Sequence, residues 1–113
     1  MSDAGTRDPA AMKARLGELA QKFVSRTRED LRRMHECLVR LDAGENASVD
    51  EIRQLAHRIA GTGGTLGMIS LSDAASDLER VIDAMPADDA PDASMRAQVA
   101  AGVERLAALL ALS

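Results

Sequence analysis

At 113 residues the chain has the length for one domain with a core of its own, and none to spare for a separate nucleotide-binding catalytic module. Apolar residues make up 46% of it, yet with one phenylalanine and neither tyrosine nor tryptophan that core must come from Leu, Ala, Val, Ile and Met, a composition that favours helices packed on helices. The aromatic shortage and a net charge of −4 argue against nucleic acid as a partner, the lone Cys37 allows no internal disulfide, and no apolar run reaches signal-sequence or membrane-span length, so a reducing, cytoplasmic setting is expected.

The opening "MSDAGTRD" is small, polar and without period, and residues 1–8 read as a flexible tail before a single bundle domain over 9–113. Apolar residues then recur at Met12, Leu16, Leu19 and Phe23, and again at Leu31, Met34, Leu38 and Leu41, with Thr27 between the two groups, in the three- and four-residue steps of one helix face. A single helix of that length is unusual in so small a domain, so a break is expected near Ala20 to Lys22, which sets off a short extra helix at the N-terminus. "AGENAS" punctuates the chain, and Ser48 to Glu51 has the capping-box pattern that opens a helix. Ser70 to Asp73 repeats that signal before a stripe of Leu71, Ala75, Leu78, Ile82 and Met85, which Pro86 closes. After the acidic "PADDAPD", read as a solvated loop, a last helix from about Ala93 carries Met95, Val99, Val103, Leu106 and Leu110 on one side. The fold class is therefore all-α: an antiparallel four-helix bundle with a short extra N-terminal helix.

The stretch "LAHRIAGTGGTLG", Leu55 to Gly67, is the unusual one, with one histidine and four glycines in a helical pattern. At about 100° per residue, Leu55, Ile59 and Leu66 lie within about 20° of the side opposite His57, and Ile52 within about 40° of it. His57 therefore faces away from the core. Gly61 and Gly64 lie within about 40° of His57, so the face beyond the histidine is bare backbone. Gly61, Gly63 and Gly64 together cost a helix about 3 kcal/mol, a noticeable part of the roughly 5–15 kcal/mol that holds a small domain together. Gly63 points to the core side, where close packing explains it, and Gly67 fits a C-terminal cap. Gly61 and Gly64 fit a surface kept clear so that another molecule can reach the histidine.

An exposed imidazole can ligate a metal, act as a base or act as a nucleophile. No second histidine at i+4, no C-x-x-C and no carboxylate at i±3 or i±4 accompanies His57, so no metal site is expected there. Without a G-x-S-x-G turn, a nucleotide loop or a magnesium-holding Asp/Asn set, self-contained catalysis is not expected either. What remains is a covalent carrier, because a neutral imidazole nitrogen forms a labile phosphoramidate and needs little beyond access and in-line approach.

"AHRIAGTGG", the "LG" that follows it and the later "LSDAASDLE" resemble the histidine-containing phosphotransfer (HPt) domains of phosphorelays, whose pattern is roughly H-x-[L/I]-K-G-[S/T]-x-x-x-[L/F]-G with a later Leu-Glu on the next helix. The resemblance spans about Leu16 to Ala84 in helix order, with its specific part confined to His57 through Gly67. It implies a four-helix bundle in which His57 accepts a phosphoryl group from an aspartyl phosphate on one receiver domain, of a response regulator or a hybrid sensor histidine kinase, and passes it to another. It implies a phosphoryl carrier and not an enzyme, with Mg2+ and the acidic residues supplied by the receiver. Where the family most often has lysine, this chain has Ala60. Arg53, one turn before the histidine, and Arg58 beside it are the candidates to offset phosphoryl charge. Ala60, Gly61, Gly64 and Thr65 are the expected docking face.

Elsewhere, His35 reads as a boundary residue of its helix, Cys37 as semi-buried packing, and Met68 and Ile69 as cover for the end of the bundle. Two other readings stay open at this level: an adaptor that binds receivers without carrying phosphate, and a structural helical bundle unrelated to phosphate. A monomer is expected, because one bundle closes its own core.

Overall fold

The computed structural model describes residues 8–86 and 90–112. The described residues form four helices: α1 Pro9–Asp42, α2 Ser48–Thr65, α3 Ile69–Asp83 and α4 Ala93–Ala111. Short connections turn the chain back after α1 and α2, and each helix packs on two neighbours in the cycle α1, α2, α3, α4 and back to α1. All-α bundle architecture is thus what the chain adopts. The core is aliphatic apart from Phe23: Met34, Ile52, Ile59, Leu78, Val99, Val103 and Leu106 are all buried within it. Thr27 sits among them because its hydroxyl donates to the Phe23 carbonyl of its own helix at 2.7 Å.

The expected break at Ala20 to Lys22 is absent, and with it the separate short N-terminal helix. α1 runs unbroken for 34 residues, about 50 Å. Nothing in A-Q-K frees or blocks a backbone hydrogen bond, Pro9 stands at the start of the helix where its missing N–H costs nothing, and the Asp8 carboxylate accepts from Ala10 N–H as the cap. Burial on α1 begins only at Phe23. Residues 9–18 project past the bundle, which accounts for a molecule 59 Å long and only 23 by 19 Å across. Of the expected tail, residues 1–7 lie outside the described residues, and Asp8 belongs to the helix as its cap.

Both expected capping boxes go unused. α2 begins at Ser48 itself, buried, with Ala47 before it and no side-chain cap, and Glu51 turns instead to Cys37 and Arg40 of α1. α3 begins at Ile69, one residue before Ser70. Its start is set by the end of α2, where Gly67 adopts φ +77°, its N–H bonds to Gly64 O, and Met68 N–H bonds to Gly63 O at 2.8 Å. That pair of bonds is a Schellman cap, with Gly67 at the left-handed position only glycine occupies cheaply. α4 opens as expected at Ala93, capped by the Asp92 carboxylate on Met95 N–H at 2.8 Å. Of the acidic loop before it, residues 87–89 lie outside the described residues.

Candidate functional site

On α2 the side chains of Ile52, Leu55, Ala56, Ile59 and the backbone of Gly63 face the core. That leaves His57 outside, with its side chain 74% exposed. It is not free to rotate. His57 Nδ1 lies 2.8 Å from Glu79 Oε2 on α3, and an ionised carboxylate can only accept, so Nδ1–H is the donor. In the neutral ring this bond fixes the proton on Nδ1 and leaves the lone pair on Nε2.

Glu79 is itself mostly covered, its side chain 18% exposed. Arg53 Nη2 approaches the same Oε2 at 3.7 Å, and Arg53 Nε donates to Asp83 Oδ1. That hydrogen bond, more than any other contact, raises the arginine pKa above its already high usual value, so its charge is permanent. Arg53 and His57 are one turn apart on α2, as Glu79 and Asp83 are on α3, and the two antiparallel helices set Arg53 against Asp83 and His57 against Glu79 in one register. Farther along, in the same register, Ser72 meets Gly64.

The expected supporting arginines divide. Arg53 lies in the histidine's row. Arg58, expected to offset phosphoryl charge, is instead engaged by Asp30 of α1, with Nη2 2.6 Å from Oδ1 of a carboxylate only 6% exposed. The physical reason is that a buried carboxylate demands a partner, and Arg58, about 100° around α2 from His57, is the cation that reaches it.

The expected docking face is also uneven. Gly61 is exposed, and a Cβ there would meet nothing within 4 Å. Thr65 is exposed, its hydroxyl donating to Gly61 O at 3.1 Å. Gly64 is exposed but lies at the α2–α3 seam, where a Cβ would sit 3.3 Å from Ser72 Oγ. Ala60 is half-buried, and its carbonyl accepts from Ser72 Oγ at 2.7 Å.

Sequence reasoning assigned no role to Glu79 and missed Asp83. The signal available was two charged pairs at i, i+4, one basic and one acidic, on successive antiparallel helices. Among the described residues no group of three His, Cys, Asp or Glu side chains could hold a metal ion, and no helix is long and apolar enough to cross a membrane. A cavity of about 230 Å³ lies between α1 and α2, lined by Leu19, Phe23 and Leu66 among others, and His57 does not contribute to it.

His35 is a surface residue bridging two helices, with Nδ1 2.9 Å from Leu31 O and Nε2 2.7 Å from Glu104 Oε1 of α4. Cys37 is fully buried, more so than expected. Burial, with a hydrogen bond from the thiol to Glu51, pushes its pKa up to about 11 despite the nearby Arg40. Met68 is half-buried against the core, while Ile69 is 59% exposed.

Compared with known proteins, the chain matches the family model of the Hpt domain over residues 18–110. No curated protein and no solved structure matches it.

Proposed function

The chain belongs to the Hpt domain family, and from that premise we propose that it is a phosphorelay carrier in which His57 Nε2 takes a phosphoryl group from the aspartyl phosphate of one receiver domain and hands it to another. Hpt domains act in histidine phosphotransfer with receiver domains of two-component systems, and as a class they are phosphoryl carriers. The observation that carries the assignment to His57 is its exposure at 74% together with the bond from Nδ1 to Glu79.

In this mechanism the Nε2 lone pair attacks phosphorus in line, the bond from phosphorus to the aspartyl oxygen breaks, and the receiver carboxylate leaves with the electron pair. The ring becomes a phospho-imidazolium that keeps its Nδ1 proton, and the Glu79 carboxylate, already in place, offsets the new positive charge. Return transfer runs the same steps backward onto a second receiver aspartate. Arg53, one turn before His57 and on the other side of it from Ala60, is the cation in the histidine's row, held there by Asp83 and Glu79. Mg2+ belongs to the receiver in this reading, and the chain's own contribution is a pre-set tautomer and an open approach over Gly61 and Thr65.

The test is incubation with a phosphorylated receiver domain and Mg2+, with the label mapped by mass spectrometry. Acid-labile, base-stable label on His57 is expected. His57→Gln is expected to take up none while melting at the wild-type temperature, because an outward side chain contributes little packing. Absence of label across several receivers, with the protein shown to be folded, would favour the adaptor that binds without carrying phosphate.

A further inference from the structure

Among the described residues the front of α1 leaves an apolar stripe without a partner. Met12, Leu16 and Leu19 are exposed at 54, 55 and 41%, in steps of four and three residues that continue to Phe23, where burial begins. Such spacing suits the seam of a two-stranded coiled coil, in which Leu16 and Phe23 would take the a positions and Met12 and Leu19 the d positions. The positions that border this seam, e and g, hold Lys13 and Ala20 on one side and Arg15 and Lys22 on the other. The single acid of the segment, Glu18, falls at c, toward the outer side. Among the described residues Lys13, Arg15 and Lys22 make no ion pair, nor do Arg26 and Arg28, whereas every arginine from Arg32 onward is tied to a carboxylate. From residue 9 to residue 28 the chain carries five basic side chains and one acidic one, within a protein whose net charge is −4.

We propose that residues 9–22 of α1 form a docking helix for an acidic amphipathic helix of a partner protein, one with apolar residues at a and d and carboxylates at e and g. Three cations and no acid at the four positions flanking the seam select a partner of opposite sign and work against self-pairing. Two copies of this arm do not satisfy it. A parallel pair is blocked because the stripe lies on the face where α1 begins to pack on its own bundle at Phe23, and an antiparallel pair sets Arg15 of each copy against Lys22 of the other. A membrane surface fits less well than a helix, because the stripe is one narrow seam and residues 9–22 contain no aromatic side chain. The surface is separate from the His57 row, which lies at the α2–α3 seam, so the arm can hold a second protein while the histidine stays open to a receiver.

The probe is a fluorophore-labelled three-heptad peptide with Leu at every a and d and Glu at every e and g, titrated with the full chain and read by anisotropy. A matched peptide with Lys at e and g serves as the control. The acidic peptide is expected to bind about tenfold more tightly than the basic one, with the difference shrinking as salt is raised. The triple change K13E/R15E/K22E is expected to invert that preference, and Leu16→Asp to abolish binding of either peptide. All four positions are exposed, so melting temperature and His57 labelling are expected to stay at wild-type values. Equal affinity for the two peptides, binding of neither, self-association of the chain in sedimentation, or preferential binding to phosphatidylserine vesicles would each overturn the proposal.

Discussion

Gly61 offers the sharpest test of why α2 carries glycines where alanine would serve a helix better. Its φ is not positive, and a Cβ built on it meets nothing within 4 Å, so neither strain nor packing accounts for it. Gly61→Ala is therefore expected to stabilise the fold by about 1 kcal/mol, the helix propensity difference with no steric debit, and to raise the melting temperature by about 4 °C. Gly64→Ala is expected to gain less, because its Cβ would stand 3.3 Å from Ser72 Oγ, a hydroxyl already held by the Ala60 carbonyl at 2.7 Å. If access to His57 is what keeps position 61 bare, a large side chain there obstructs the receiver, since residues at i and i+4 lie about 5–6 Å apart on one face. In-line attack needs the reacting atoms within about 3.5 Å, and a misplacement of about 1 Å costs roughly 100-fold in rate. Gly61→Phe is accordingly expected to slow transfer from a phosphorylated receiver by about 100-fold while the protein remains folded. Circular dichroism melts and single-turnover transfer kinetics on the same samples separate the two effects. Wild-type transfer by Gly61→Phe would refute the access argument, and a Gly61→Ala protein no more stable than wild type would refute the propensity argument beneath it.

The Arg58 and Cys37 environments yield two further expectations. Arg58→Ala strands the Asp30 carboxylate, 6% exposed, and is expected to lower the unfolding free energy in urea by about 1.5–3 kcal/mol, with much of the loss recovered when Asp30→Asn is added. An unchanged midpoint in the single variant would mean that water already serves that carboxylate. Cys37, with its thiol pKa raised from 9.0 to about 11 in the folded protein, favours folding while it stays neutral. Its contribution is whole below about pH 9 and is lost as pH rises from 9 through 11, amounting to about 3 kcal/mol. A Cys37→Ala protein is expected to lose this alkaline slope, and stability that falls equally steeply in both proteins would assign the slope to another group.

How much of this was legible in the residues depends on which force decides each feature. Hydrophobic periodicity decides which face of a helix is buried, and so the core stripes of α3 and α4 and the outward direction of His57 could be read from spacing alone, while the cap at Gly67 could be read from glycine's ease at positive φ. The same signal misleads at Met12, Leu16 and Leu19. A stripe waiting for another molecule has the period of a stripe already covered, and only the position of the first packed residue, Phe23, tells them apart. Capping boxes failed for a different reason. They are local signals worth about 1 kcal/mol, and at Glu51 the tertiary contacts to Cys37 and Arg40 compete for the same carboxylate. The site divides along the same line. His57 and its glycines are local and were visible. The acids that meet the row, Glu79 and Asp83, and the one that draws Arg58 away, Asp30, act only through a register between helices. That register is fixed by core packing among residues such as Ile52, Ile59, Leu71 and Leu78, so the tautomer of His57 is a consequence of the core and not of the motif around it.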